Sequence, residues 1–179
     1  MRYNVNRYYP YPVLKPIIND YRSSIFEVSI DVRVQDRTNL RLILNTTLTS
    51  KLIGGLIKEN KAAAVVHIEC PTTKYRNSFP IEVGEFSIDI DMKHLKDTIE
   101  VLPGIVSKEA MTISSDEFLE IYDGLSFSLM AGSILAIDEH RTLRLDKDSH
   151  ENASLPSIIT IQAKNDQEEA VSFDLKQQK

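Results

Sequence analysis

Residues 26–34, FEVSIDVRV, place Phe26, Val28, Ile30, Val32 and Val34 at every second position, with Glu27, Ser29, Asp31 and Arg33 between them. Successive side chains of an extended strand point to opposite faces, so this spacing predicts a strand with one buried and one solvated side. Residues 35–39 (QDRTN) are polar turn material, and Leu40, Leu42 and Leu44 resume the alternation through about Thr47. Two such strands joined by a short polar turn predict an antiparallel hairpin.

The same two-residue period recurs outward from this hairpin. Residues 85–92 (EFSIDIDM) turn Phe86, Ile88, Ile90 and Met92 inward, and residues 62–70 (AAAVVHIEC) form a nearly continuous apolar run of the kind buried on both faces. Residues 86–91 (FSIDID) echo residues 26–32 (FEVSIDV) about 60 residues earlier, as an internal duplication would, although any two alternating strands look alike. Further strands are expected at residues 125–130 and 133–137, joined tightly at Ala131-Gly132, and at Leu143-Arg144-Leu145. Residues 157–163 and 170–175 form a terminal hairpin around a polar turn. Residues 71–80 read as a loop between two prolines, residues 98–106 as an apolar stretch broken at Pro103-Gly104, and residues 146–156 (DKDSHENASLP) as a mobile loop.

Helical signals are fewer. Thr49-Ser50 can cap a short helix carrying Leu52, Ile53, Leu56 and Ile57, within which Gly54 and Gly55 each cost roughly 1 kcal/mol relative to alanine. Ser114 with Glu117 matches a capping box, opening a second short helix through Phe118, Leu119 and Tyr122 that ends at Asp123-Gly124. Residues 93–97 suit a single helical turn. The expected fold is mainly β, a β-rich α+β protein of antiparallel sandwich or barrel-like sheets with two or three short helices.

Residues 1–22 differ from all of this, holding five of the seven tyrosines and Pro10, Pro12 and Pro16. Each proline removes a backbone donor and biases its predecessor toward extended backbone, so the segment is an arm with a local charge of +3 that needs a surface to lie on. The body is residues 23–179, with 23–92 and 93–179 as candidate subdomains. The chain stops at Lys179 soon after a strand and without a terminating signal, as a piece of a longer protein would.

Composition narrows the class. A chain of 179 residues with 42% hydrophobic and 26% charged residues excludes disorder, collagen-like repeats and coiled coil for the whole. A single Cys excludes a disulfide framework. No run reaches the roughly 18–20 apolar residues that span a bilayer, and the N-terminus lacks a secretory apolar region, so a soluble cytoplasmic protein with no membrane partner is expected. The net charge of −5 divides unevenly: residues 1–80 hold 12 Lys/Arg against 6 Asp/Glu, and residues 81–179 hold 9 against 20, giving +6 and −11. Such asymmetry suits complementary faces that meet in a complex, or it disappears when the fold mixes the halves.

The densest group of reactive side chains is His67, Glu69, Cys70, Lys74, Tyr75 and Arg76. His67 and Glu69 share a strand face and Cys70 points the other way. A zinc site needs four ligands and a Cys nucleophile needs a base, and no recognisable spacing supplies either, so no catalytic residue, metal or cofactor is assigned. Lys74, Tyr75 and Arg76 are assigned instead as contacts for an anion or acidic partner. Asp89 and Asp91 lie on the outward face of their strand, where charge keeps an edge from unwanted pairing. Asp174-Leu175-Lys176 has the acid-x-Lys spacing of metal-dependent nucleases, completed by Asp146, Asp148 or Asp166, and Glu59-Asn60-Lys61 repeats that spacing.

The function expected is a non-enzymatic protein-interaction or assembly module, oligomeric or part of a larger complex, whose partner is itself or another protein subunit. The arm would dock through Tyr8, Tyr9, Tyr11 and Ile17. The second expectation is a small nucleic-acid-binding barrel, with Tyr8, Tyr9 and Tyr11 stacking on bases and Arg2, Arg7, Lys15, Arg22, Lys74 and Arg76 on phosphates. An overall pI of about 5.4 weighs against it. A metal-dependent hydrolase or nuclease-like enzyme is the third.

Overall fold

In the computed structural model, which describes residues 8–34, 38–147, 159–164 and 170–172, β1 (Phe26–Val34) and β2 (Asn39–Leu48) form the expected antiparallel hairpin, with Val28 opposite Thr46 and Val32 opposite Leu42. β5 (Gly84–Asp91) lies along the other side of β2, with Ile88 opposite Leu42, and completes a three-stranded antiparallel sheet. Phe26, Val28, Leu40, Leu42, Leu44, Ile88 and Ile90 are all buried on one face of it, as the two-residue period demands.

A larger sheet carries most of the remaining strands. Its order is β12 (Ala170–Ser172), β11 (Ile159–Lys164), β10 (Arg141–Lys147), β6 (Thr98–Ser107), β3 (Ala62–Cys70) and β4 (Tyr75–Ile81), with β9 (Ile134–Ile137) also paired to β6. Every one of these pairings is antiparallel. Val66 and Ile68 of β3, and Ile99, Val101 and Ile105 of β6, join the apolar face of the small sheet in one continuous core. Neither sheet closes into a barrel: the small one ends at β1 and β5, the large one at β4 and β12. β3 pairs with β6 across residue 92, and the core draws side chains from both sides of that position.

Several sequence expectations are corrected. β3 is fully buried only at alternate positions, and its other face, including Val65, His67 and Glu69, is half-buried rather than enclosed. Residues 71–80 are not a loop. The turn closes in residues 71–74, where Lys74 donates its N–H to Pro71 O and adopts φ +60°, and β4 then returns along β3. Pro80 is tolerated there because β4 is an edge strand. Nor does Pro103 break β6. Asp138 N–H donates to Pro103 O, so the polar groups of Pro103 face away from β3, toward the gap between β10, paired at residues 98–101, and β9, paired at 104–106. A missing N–H leaves no ladder bond unmade at that point.

Residues 114–122 do not form the expected helix; a 3-10 turn at Glu120–Tyr122 is all that winds there, because Glu117 is engaged elsewhere. Residues 125–130 and 133–137 do not pair with each other. β8 (Phe127–Leu129) pairs with β7 (Met111–Ile113), while β9 joins the large sheet. β10 extends to Lys147 over the start of the expected mobile loop, whose remainder lies outside the described residues. The terminal hairpin is present as β11 and β12, with Ala163 opposite Val171. The single turn near residue 93 is a 3-10 turn at Met92–His94, capped by the Asp91 carboxylate. Among the described residues the one α-helix is α1 (Lys51–Lys58), and no helix there is long and apolar enough to cross a membrane.

Candidate functional site

The described part of the arm, residues 8–22, lies on the protein's own body. Val13 and Leu14 are fully buried, and Leu14 bridges β9 in parallel, donating its N–H to Leu135 O and accepting from Ile137 N. Tyr9 and Tyr11, 5.9 Å apart between ring centroids, pack against Val13, Leu102, Ile134 and Ile137 on the outer face of the large sheet. Beyond Pro16 the chain bends back. Asn19 Oδ1 accepts from Lys15 N and Tyr21 N while its amide donates to Ser24 O, and Asp20 accepts from Val13 N and from the Tyr122 hydroxyl. Tyr21 then packs edge-on to Phe118, and burial together with the carboxylates of Glu117 and Asp20 pushes its phenol pKa well up.

What this fastening leaves in solvent is apolar. Tyr8 is 92% exposed, Ile17 54% and Ile18 79%. Ile18 has φ +54°, a left-handed conformation that β-branched side chains rarely adopt. Of the arm residues assigned to docking, Tyr8 and Ile17 are therefore open, whereas Tyr9 and Tyr11 are partly covered by the body. Lys15 and Arg22 are also engaged, the first 3.9 Å from Asp20 and the second 2.7 Å from Asp123. Arg2 and Arg7 lie outside the described residues.

Lys74, Tyr75 and Arg76 stand where β3 turns into β4. Tyr75 stacks on His94, with 5.0 Å between ring centroids, and the Thr73 hydroxyl donates to His94 O, so the turn at 71–74 is tied to the 3-10 turn at Met92–His94. Lys74 is exposed, and Arg76 lies 3.4 Å from Glu69. Together with Lys93 and Lys96 these form a rim of basic side chains interleaved with Glu69, Asp91 and Asp97 on two mutually fastened loops. Cys70 is buried beneath it, donating to Lys96 O and accepting from Lys96 N, each at 3.3 Å. Burial pushes the Cys70 thiol up, but hydrogen bonds from Thr73, Lys96 and Thr72 outweigh it and leave the pKa lowered.

The reactive residues do not gather into a metal site. Asp89 is held by a bidentate contact with Arg41, Asp91 caps the 3-10 turn, and Glu59 pairs with Lys61. Among the described residues no three His, Cys, Asp or Glu side chains stand close enough to hold a metal ion. Asp174, Leu175 and Lys176 fall outside the described residues. His67 and Glu69 do stand together, on the outer face of β3 with Arg76 beside Glu69, and Ser78 of β4 joins them at 2.8 Å from His67. Ser78 was hidden by the reading of residues 71–80 as loop, although Tyr75, Phe79 and Ile81 already mark an inward face.

Two further residues escaped the sequence reading. Asp138, 2% exposed, accepts the Val28 N–H at 2.8 Å and so ties β1 to the segment after β9. Gly104, opposite Val65, leaves the outer face of the large sheet without a side chain beside His67. Compared with known protein families, curated proteins and solved structures, the chain matches none.

Proposed function

We propose that the protein is an interaction and assembly module that docks on another protein subunit, with a second copy of itself as the first candidate, through the tip of its arm. The observation supporting this reading is the exposure of Tyr8, Ile17 and Ile18 on a backbone already fastened by Asn19 and Asp20. Large apolar side chains in fixed positions lose little conformational entropy on binding, which favours them as interface anchors. Ile121 and Leu125, also exposed, sit on the segment that Asp20 and Arg22 bind and extend the same apolar character. Exposed Lys74, beside Tyr75 and Arg76, would orient an acidic partner. Single-strand nucleic acid has less support, since of Tyr8, Tyr9 and Tyr11 only Tyr8 keeps most of its surface free for stacking.

Deleting residues 1–22 is a poor test, because Val13, Leu14 and Tyr21 belong to the core. Ile17→Asp combined with Ile18→Asp changes the exposed tip alone. Light scattering on the native chain is expected to give a mass above that of the monomer, and on the double variant the monomer mass with an unchanged melting temperature. A native protein that stays monomeric at high concentration contradicts docking on a second copy.

A further inference from the structure

A chemical site stands apart from the arm tip. β3 and β4 set Ser78 directly opposite His67, with Glu69 two residues further along the same face. His67 Nδ1 lies 2.8 Å from Ser78 Oγ, and His67 Nε2 lies 2.8 Å from Glu69 Oε1. An ionised carboxylate only accepts hydrogen bonds, so the ring proton sits on Nε2 and Nδ1 turns its lone pair toward the Ser78 hydroxyl. Nucleophile, base and orienting carboxylate thus stand in the order that acyl transfer requires. Arg76 holds the second oxygen of Glu69 at 3.4 Å.

Beside His67 the sheet surface dips where Gly104 lacks a side chain, and Val65, His67, Leu102, Val106 and Ile134 line an apolar dimple of about 10 Å³, room for one water molecule. Tyr9 and Tyr11 pack on this same part of the face. Ser78 is exposed, so an ester carbonyl can reach it from solvent.

We propose that Ser78, His67 and Glu69 form a hydrolytic site for small esters whose acyl group stays in solvent. Ser78 Oγ attacks the carbonyl carbon as its proton passes to His67 Nδ1. The Ser78 N–H is taken by the Asn77 side chain at 2.9 Å, so the oxyanion is left to the Arg76 guanidinium, two residues away on the same strand face. The bond to the alcohol breaks as His67 returns the proton to the departing alkoxide. Water, giving its proton to His67, then attacks the acyl-serine, releases the carboxylic acid and restores Ser78. Without backbone donors for the oxyanion, acyl-serine formation and release are slow.

The full chain is treated with a fluorophosphonate probe and, separately, with p-nitrophenyl butyrate. The probe is expected on Ser78 by peptide mass spectrometry, and the butyrate ester is hydrolysed faster than in buffer alone. Ser78→Ala abolishes labelling and turnover with an unchanged circular dichroism spectrum. His67→Ala slows labelling on the order of 100-fold, partly recovered by added imidazole, and Glu69→Gln, which disturbs only the positioning of His67, lowers kcat about 10-fold at constant KM. A probe that leaves Ser78 unlabelled, or a Ser78→Ala variant that keeps the native rate, overturns the proposal.

Discussion

Asp138 stands at a junction of two sheets, and its energetics follow from where the backbone puts it. It accepts the Val28 N–H, and Arg141 approaches to 3.4 Å. Burial pushes its carboxyl pKa above the ordinary aspartate value of 3.8, with the N–H groups of Glu139 and Val28 and the Arg141 charge only partly offsetting it. A raised folded-state pKa means that the native state holds the proton longer than the unfolded chain. This contribution to stability is complete below the ordinary aspartate pKa and is lost as pH rises through the raised value. Asp138→Asn is expected to flatten that part of the profile, measured as urea midpoints across the acid range. Asp138→Ala leaves the Val28 N–H buried without an acceptor and should cost about 1–3 kcal/mol. Nothing in the local sequence singles out Asp138, because its partner lies 110 residues away.

Helix α1 illustrates how an element can be right in place and wrong in its support. Ser50 caps it as expected, accepting from Ile53 N at 3.1 Å. The second cap comes from Glu117, whose carboxylate accepts from Leu52 N and from the Ser24 hydroxyl, each at 2.9 Å. The Ser-x-x-Glu pattern at residues 114–117 is therefore a true capping glutamate attached to the wrong helix. Glu117→Ala should destabilise the protein by about 1–2 kcal/mol, since it removes a cap and a negative charge from the positive end of the helix. Gly55→Ala should do the reverse, adding about 0.5–1 kcal/mol, because a Cβ built there meets nothing within 4 Å. Chemical denaturation of both variants and their combination checks the two signs. β4 and β6 were misread for a different reason. Proline normally ends a strand, and only an edge position for Pro80 and a gap between two neighbouring strands for Pro103 remove the penalty.

Across the whole molecule, the arm, the segment after β7 and α1 meet around Phe118. This ring is fully buried and contacts Tyr21, Tyr122 and Phe127 in edge-to-face geometry at 5.1–6.5 Å. Phe118→Ala should cost about 3–5 kcal/mol and loosen residues 19–24 together with residues 117–122, seen as faster hydrogen exchange in both. The same convergence mixes the charged halves of the sequence: Arg22 pairs with Asp123, Arg41 with Asp89, and β3 lies between β4 and β6. The division into +6 and −11 along the chain is thus partly erased in three dimensions, and around residues 74–76 and 93–96 too Arg76 and Lys93 pair with Glu69 and Asp91.

Alternation of apolar and polar residues is a local property, set by the two-residue period of extended backbone, so β1, β2 and β5 could be read from residues 26–92 without reference to anything else, and β3 from its apolar run. The first hairpin followed because a short polar turn leaves neighbouring strands few ways to meet. Everything that depends on contacts distant in sequence was decided by packing: which strand covers β6 on each side, which helix Glu117 caps, and that Leu14 belongs to the sheet while Ile17 and Ile18 face solvent. Ser78, His67 and Glu69 belong to this second kind. Their types and positions are plain in the sequence, but only the register of β4 against β3, selected by burying Phe79 and Ile81 on the inward face, brings the hydroxyl to the imidazole.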